Sequence, residues 1–422
     1  MDKKSGLSVN PLKTSPALGA AYALQGIKDA IALFHAAPGC TFLGKVLLTQ
    51  HLREPVGLLG TDIKEIPTIM GGFDEVKKKI ADVCEKFKPS LVGVIGTALS
   101  EVRGEDIENI ITNYELRIAN CKILYIPCPD YIGGFEDGYA KAIEVLIENL
   151  AEEGSIIHNQ INILPCSSLT IGDVEEIKDM VSDFALKPIV LPDLSVSMDG
   201  SKEIFSNLPL DGTNIDEIKT TGRSSATLSV GEGMKRAGEM LRDRFHMPLY
   251  HISSPIGLET TDNLIKCLMD ISENKPPEKI ERWRRRLVDG MVDTHLLVTG
   301  KRVAIGLEGD ILSGISRFCL EMGMEVTGAR GKGQATSDLE DLEDKAKDLD
   351  LMITNSHGKE ISERLGIPLL RMGFPVFDIF GEPLKVRVGY RGTLNLLFEM
   401  ANIFIVNYYE NSLCNKRQYH GK

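Results

Sequence analysis

Residues 35 to 48 read HAAPGCTFLGKVLL, with one cysteine directly after Pro38-Gly39 and directly before a helical pattern. Locally, AIALFH over 30–35 is a short strand, AAPG is a turn, and the run from Cys40 to Leu52 is a helix. Cys40 therefore stands at or beside a helix N-terminus. Backbone N–H groups without partners, and the positive end of the dipole, favour a thiolate there. Thiolate is the form of cysteine that binds iron. Gly39 allows close approach of a bulky ligand, and Pro38 stiffens the turn. The competing reading is a small buried hydrophobe, the commoner fate of such a thiol, and the local residues leave both open. An iron–sulfur cluster usually takes four thiolates, so Cys40 as a ligand needs others brought in by folding or by a partner.

Seven further cysteines are scattered through the chain, none in a metal-binding spacing. Cys128, in IPCPDYIGG, follows an expected strand, where ligand sites of α/β folds gather; Cys166, in LPCSS, is placed similarly. Both are secondary candidates, because most such loops are scaffold. Cys84, Cys121, Cys267, Cys319 and Cys414 read as core or surface thiols. His35 and His51 flank the Cys40 helix, and His35 could hydrogen-bond near a ligand there, although a satisfied core histidine is the simpler reading. His295 and His357 read as packing or interface residues. VAIGLEGD follows a strand and precedes a helix but lacks G-x-G-x-x-G, and GARGKGQAT over 328–336 is not a phosphate-binding loop. Both read as turns or loops. No Ser-His-Asp or Cys-His nucleophile can be assembled from local sequence.

The elements that must position these residues follow one theme: a short β-branched run, a turn rich in Gly or Ser, then an amphipathic helix. SLVGVIGTALSEVRGEDIENII, CKILYIPCPDYIGGFEDGYAKAIEVLIENL and KRVAIGLEGDILSGISRFCLEMGMEV are three examples. Such alternation predicts an α/β fold with parallel sheets and right-handed crossovers. Ser15 and Pro16 look like the cap and first residue of a helix through ALGAAYAL. A chain of 422 residues is too long for one core. Polar stretches at 151–160 and 272–283 divide it into three Rossmann-like units, near 1–155, 156–285 and 286–422, with an apolar last helix packing back on the others.

A net charge of −12 argues against nucleic acid or an anionic membrane as partner. ERWRRRL over 281–287 is the clearest basic patch and reads as a solvated or interface helix face. No apolar run reaches the roughly 20 residues of a membrane span, and MDKKSGLSVNPLKTSP has no apolar signal core behind its lysines. The expected location is the cytoplasm, where disulfides are rare.

Several stretches together resemble the nitrogenase component 1 family: NPLKTSPALGAAYALQGIKDAIALFHAAPGCT, TDIKEIPTIMGGFDEVKKKI, RRRLVDGMVDTHLLVTGKRVAIGLEGD, NSHGKEISERLGIPLLRMGFPVFDIFG and VRVGYRGTLNLL. The G-C-T segment, RLVDGMVDTH and GFPVFD carry the specificity jointly. Catalytic β subunits of that family bring three cysteines to an eight-iron cluster, whereas this chain has only the first, Cys40. REPVGLLGT and VIGTALSEVRGED stand where the second and third would fall. That departure is similar to the N-type subunit of the iron–molybdenum cofactor assembly scaffold. The resemblance implies that Cys40 lends one thiolate to a 4Fe–4S cluster, with three more from a homologous E-type partner in an α2β2 heterotetramer. It further implies transient docking of a nitrogenase-type iron protein, a cofactor precursor held mainly by the partner, and a scaffold more than a catalyst. The alternative within the family is the β-type subunit of a nitrogenase-like reductase. Outside it, a metal-free small-ligand binder shares the architecture.

Overall fold

In the computed structural model of the protein, the described residues are 12–63, 74–102, 104, 106–115, 121–131, 133–198, 208–327, 339–345 and 349–419. Among the described residues, twelve strands form three four-stranded sheets, parallel throughout. The first holds β1 (Ala30–His35), β2 (Leu58–Gly60), β3 (Leu91–Gly96) and β4 (Lys122–Pro127) in the order β2-β1-β3-β4. The second holds β5 (Ile157–Pro165), β6 (Lys187–Val190), β7 (Ser224–Val230) and β8 (Leu249–Ile252), ordered β6-β5-β7-β8. The third holds β9 (Arg302–Gly306), β10 (Glu325–Thr327), β11 (Leu351–Thr354) and β12 (Leu369–Arg371), ordered β10-β9-β11-β12. Each sheet thus repeats one topology, with its order reversing beside its first strand. The α/β class and the three parallel sheets agree with the sequence. β1, β3 and β11 are buried along their whole length, as expected of parallel strands covered on both faces.

The chain gathers into two compact units. One comprises Thr14–Ser253 with Cys267–Asn274 and carries the first two sheets. The other comprises Ser254–Lys266 and Lys275 onward, with Leu12 packed on its sheet among Ala304, Leu342 and Met352. Residue 285, where the sequence suggests a boundary, lies inside the helix Glu278–Val298. The C-terminal helix Gly389–Tyr419 runs along that helix within its own unit, so closely that a Cβ on Gly290 would come within 2.4 Å of Leu394. The arginines of ERWRRRL serve that unit. Arg284 makes a two-toothed ion pair with Asp262 at 2.8 and 2.7 Å, Tyr390 donates to the same carboxylate, and Arg286 lies over the Trp283 ring.

Around the first sheet, the sequence pattern explains the packing. Val76, Ile80 and Val83 of helix Asp74–Phe87 recur at i, i+4 and i+7, so one face meets Ile31, Leu33, Val92 and Val94 of the sheet. Ile107 and Ile111 join from helix Ile107–Glu115. On the other side, helices Pro16–Leu24 and Phe135–Leu150 cross at backbone contact. A Cβ on Gly19 would sit 1.8 Å from the Phe135 carbonyl oxygen, and one on Gly138 would sit 1.7 Å from that of Pro16. Only glycine permits this approach, which pins the segment leading into β1. Ser15 occupies the cap position, yet its hydroxyl donates to Asp130 at 2.6 Å rather than capping its own helix.

Candidate functional site

The strands of a parallel sheet end on one edge, and four loops emerge from the C-terminal edge of the first sheet. The loop after β1 leads into helix Pro38–Leu52. This helix begins two residues before the start expected from sequence, because Pro38 fits the first helical position with its fixed φ and missing N–H. Cys40 is therefore the third helical residue, and it is exposed. No acidic residue lies in that first turn, and Ala37, in the cap position, offers no side-chain hydrogen bond. The Cys40 N–H bonds back to the Ala37 carbonyl at 3.1 Å. Beside it, Gly39 faces open space: a Cβ there would meet nothing within 4 Å.

The neighbours of Cys40 divide by direction. Thr41 turns inward, and its hydroxyl would lie 2.4 Å from a Cβ on Gly60 at the end of β2. That hydroxyl is buried and makes no hydrogen bond among the described residues. Phe42 and Leu43 turn outward and are 72% and 58% exposed. Burying such side chains stabilises by about 1.5–3 kcal/mol each, so their exposure forgoes a sizeable gain unless another surface covers them. Val102, ending the short helix after β3, and Tyr131, on the loop after β4, are exposed at the same edge at 84% and 74%. Scattered exposed apolar residues need no explanation; Phe42 and Leu43, two and three residues past the exposed Cys40 on the same helix, leave apolar surface beside the thiol.

Where further thiolates would be needed, this edge is closed by hydroxyls. His35 is buried, and its Nδ1 pairs with Thr61 Oγ1 at 2.9 Å, just past β2. Thr97, just past β3, donates its hydroxyl to the His35 carbonyl at 2.8 Å, and Ser100 closes the same turn. Tyr125 donates to Glu101 at 2.8 Å, tying β4 to the short helix Ala98–Val102. His35 thus braces the loop ends from within, as a core histidine. Among the described residues, no group of three or more His, Cys, Asp or Glu side chains could hold a metal ion. Among the described cysteines, Cys40 alone is fully exposed.

The other sequence candidates are placed differently. Cys128 does follow β4, but it is wholly buried, and burial pushes its thiol up to about 12. Cys166 follows β5 and is buried with its sulfur 3.2 Å from Ser168 Oγ. Both are buried, so neither is open to a ligand, and both secondary candidates fall away on burial. Cys319 is a core thiol, likewise pushed up to about 12 by burial. His51 lies beside the Tyr22 ring, His295 meets Thr299, and His357 packs edge-on to Phe377, with burial lowering its pKa. VAIGLEGD is β9 and the turn into helix Gly309–Glu321. The stretch 328–336 lies outside the described residues, as does the side chain of Cys414. Sequence reasoning missed the exposed apolar group around Cys40. Phe42 and Leu43, next to Cys40 in a helix lacking a clean amphipathic pattern, were the available signal.

The profile of the nitrogenase component 1 type oxidoreductases matches residues 15–405. Among curated relatives, the nitrogenase iron-molybdenum cofactor biosynthesis protein NifN of Nostoc sp. is 39% identical over 415 residues, covering 94% of each chain. The protein of the same name from Bradyrhizobium diazoefficiens is 36% identical, covering 96% of this chain and 91% of its own, and that from Klebsiella pneumoniae is 34% identical, covering 94% and 91%. Among solved structures, nitrogenase Cp1 at pH 6.5 superposes with a TM-score of 0.91 at 27% identity, covering 97% of this chain and 95% of that one.

Proposed function

The chain belongs to the nitrogenase component 1 type oxidoreductase family, and from that premise we propose that it is a subunit of the scaffold on which the iron–molybdenum cofactor is assembled. Its relatives at 34–39% identity bear the name of that biosynthetic role, whereas the nitrogenase structure stands at 27%. In this reading Cys40 gives one thiolate to a 4Fe–4S cluster at an interface with a homologous E-type subunit, which gives the remaining three. The observation that carries it is the exposed thiol on an acid-free, uncapped helix start, beside exposed Phe42 and Leu43.

The donor set fits one corner of such a cluster and not a whole one. Open space beside Gly39 leaves room for a bulky inorganic group. The first turn carries no carboxylate that would repel anionic sulfur, and it is the positive end of the helix dipole. The hydroxyls of Thr61 and Thr97, anchored on His35, hold the loop ends in place without competing as ligands. Phe42 and Leu43, covered by the partner, exclude water from the thiolate. Bound there, the cluster supplies a one-electron relay between a docked iron protein and cargo held by the partner. Two such heterodimers pair as an α2β2 assembly, and the cofactor precursor is cargo of the E-type subunit, with this chain forming one wall.

The test is expression of the chain alone and with its E-type homologue. Iron–sulfur absorption appears only with the partner, and Cys40 becomes shielded from maleimide in the complex. Equal iron in the isolated chain, or an equally reactive Cys40 in the complex, contradicts the shared-ligand reading. Turnover of a small molecule by the purified complex, without cofactor maturation, would favour a nitrogenase-like reductase instead.

A further inference from the structure

Two thiols away from the Cys40 face meet each other. Cys84 lies in the last turn of helix Asp74–Phe87, and Cys121 stands immediately before β4. Their sulfurs are 3.5 Å apart, across a sequence separation of 37 residues. A disulfide bond is about 2 Å long, so modest rotation of the two side chains closes the gap. The pair is also asymmetric in access: Cys84 is half-buried, while Cys121 is buried with its sulfur 3.7 Å from the Lys122 carbonyl oxygen. From this juxtaposition we infer that Cys84 and Cys121 form a dithiol that hydroperoxides oxidise to a disulfide, bridging helix Asp74–Phe87 to the start of β4.

The chemistry follows the asymmetry. When Cys84 ionises, the Cys121 S–H can turn to donate to it; this lowers the Cys84 pKa and outweighs the opposing effect of burial. A thiolate is the nucleophile toward peroxide. The Cys84 sulfur attacks one peroxide oxygen, the O–O bond breaks, and hydroxide leaves to take up a proton as water. Cys84 is then a sulfenic acid. Cys121 attacks that sulfur, the S–O bond breaks, and the released hydroxide leaves as water with the Cys121 proton. Two thiols lose two electrons and two protons, and one hydrogen peroxide becomes two waters. Of the other buried thiols, Cys128 and Cys319 are held protonated by burial, and Cys166 faces a serine hydroxyl. The assigned pair therefore oxidises ahead of them.

The test treats the folded full-length chain with hydrogen peroxide, blocks remaining thiols with iodoacetamide, digests, and reads the peptides by mass spectrometry before and after dithiothreitol. The expected product is a Cys84–Cys121 linked peptide, lighter by two hydrogens and released by reductant, dominant over every other cysteine pair. In Cys121→Ser, Cys84 accumulates as a sulfenic acid that dimedone traps; in Cys84→Ser, the linked peptide disappears. The inference is overturned if wild-type Cys84 passes to sulfinic acid while Cys121 stays alkylatable. It is equally overturned if this pair forms no more than others in the folded chain, a result that needs no variant to fold.

Discussion

The segments after β1 and β5 occupy the same place in two sheets of one topology, and each carries a cysteine, Cys40 in the first turn of its helix and Cys166 ahead of its helix. They were built to opposite ends. After β5, Thr170 caps helix Ile171–Asp183: its hydroxyl accepts from the Asp173 N–H at 2.9 Å, and the Asp173 carboxylate accepts from the Thr170 N–H at 3.1 Å. Here the helix start is satisfied by its own residues and already holds a negative charge. Cys166 is buried behind it. Nearby, Lys178 closes the loop after β6 by binding Asp193 at 2.7 Å and Ser195 at 2.9 Å. After β1, the cap position is alanine, the first turn is acid-free, and Cys40 is exposed among apolar side chains. The segment after β5 satisfies its helix start with its own residues, whereas the one after β1 leaves its helix start uncapped and its thiol exposed.

Thiol labelling breaks or sharpens this contrast most strongly. In the folded isolated chain, maleimide should modify Cys40 about a thousandfold faster than Cys166, the factor expected where labelling waits on an opening of ~4 kcal/mol. Comparable rates would erase the distinction. Next in size, Asp193→Ala should destabilise by about 3 kcal/mol, because it strands Lys178 in a partly buried site. Urea unfolding measures this, and a loss under about 1 kcal/mol would show the second edge is not closed as described. Replacing Phe42 and Leu43 together by serine should leave the isolated chain within about 0.5 kcal/mol of wild type yet weaken partner association by ~2 kcal/mol. A pull-down titration separates the two readouts; unfolding of the double variant would place those side chains in a core instead. Smallest is the cap exchange. Thr170→Ala should cost about 1 kcal/mol, while Ala37→Ser should add about 0.5–1 kcal/mol of stability to the isolated chain, each read from the urea midpoint.

Much of the fold was legible because strands covered on both faces read as apolar runs. AIALFH and LVGVIG could hardly be anything else, and Pro16 marked its helix by occupying the position where a missing N–H costs nothing. The start at Pro38 was readable by the same rule, but the pull of Cys40 as the first helical residue hid it. The repeated strand order was not legible, since nothing local tells β2 that it must lie outside β1 rather than beside β3. Nor was the fate of Cys128, whose loop position suggests a ligand until the packing around it is known. Cys84 and Cys121 looked unrelated because their meeting depends on how helix Asp74–Phe87 is laid across the sheet. At the site itself, the type and place of Cys40 were readable. The hydroxyl brace of His35, Thr61 and Thr97 was not, because it joins residues from three strand ends.

The central claim is tested most directly by iron analysis of the complex formed with the E-type homologue, purified anaerobically with Cys40→Ala and, in parallel, with Cys166→Ala. The account predicts that the first variant loses the interfacial cluster signal in spin resonance together with its share of iron, while the second keeps both. Full iron and an unaltered signal in the Cys40→Ala complex would contradict it.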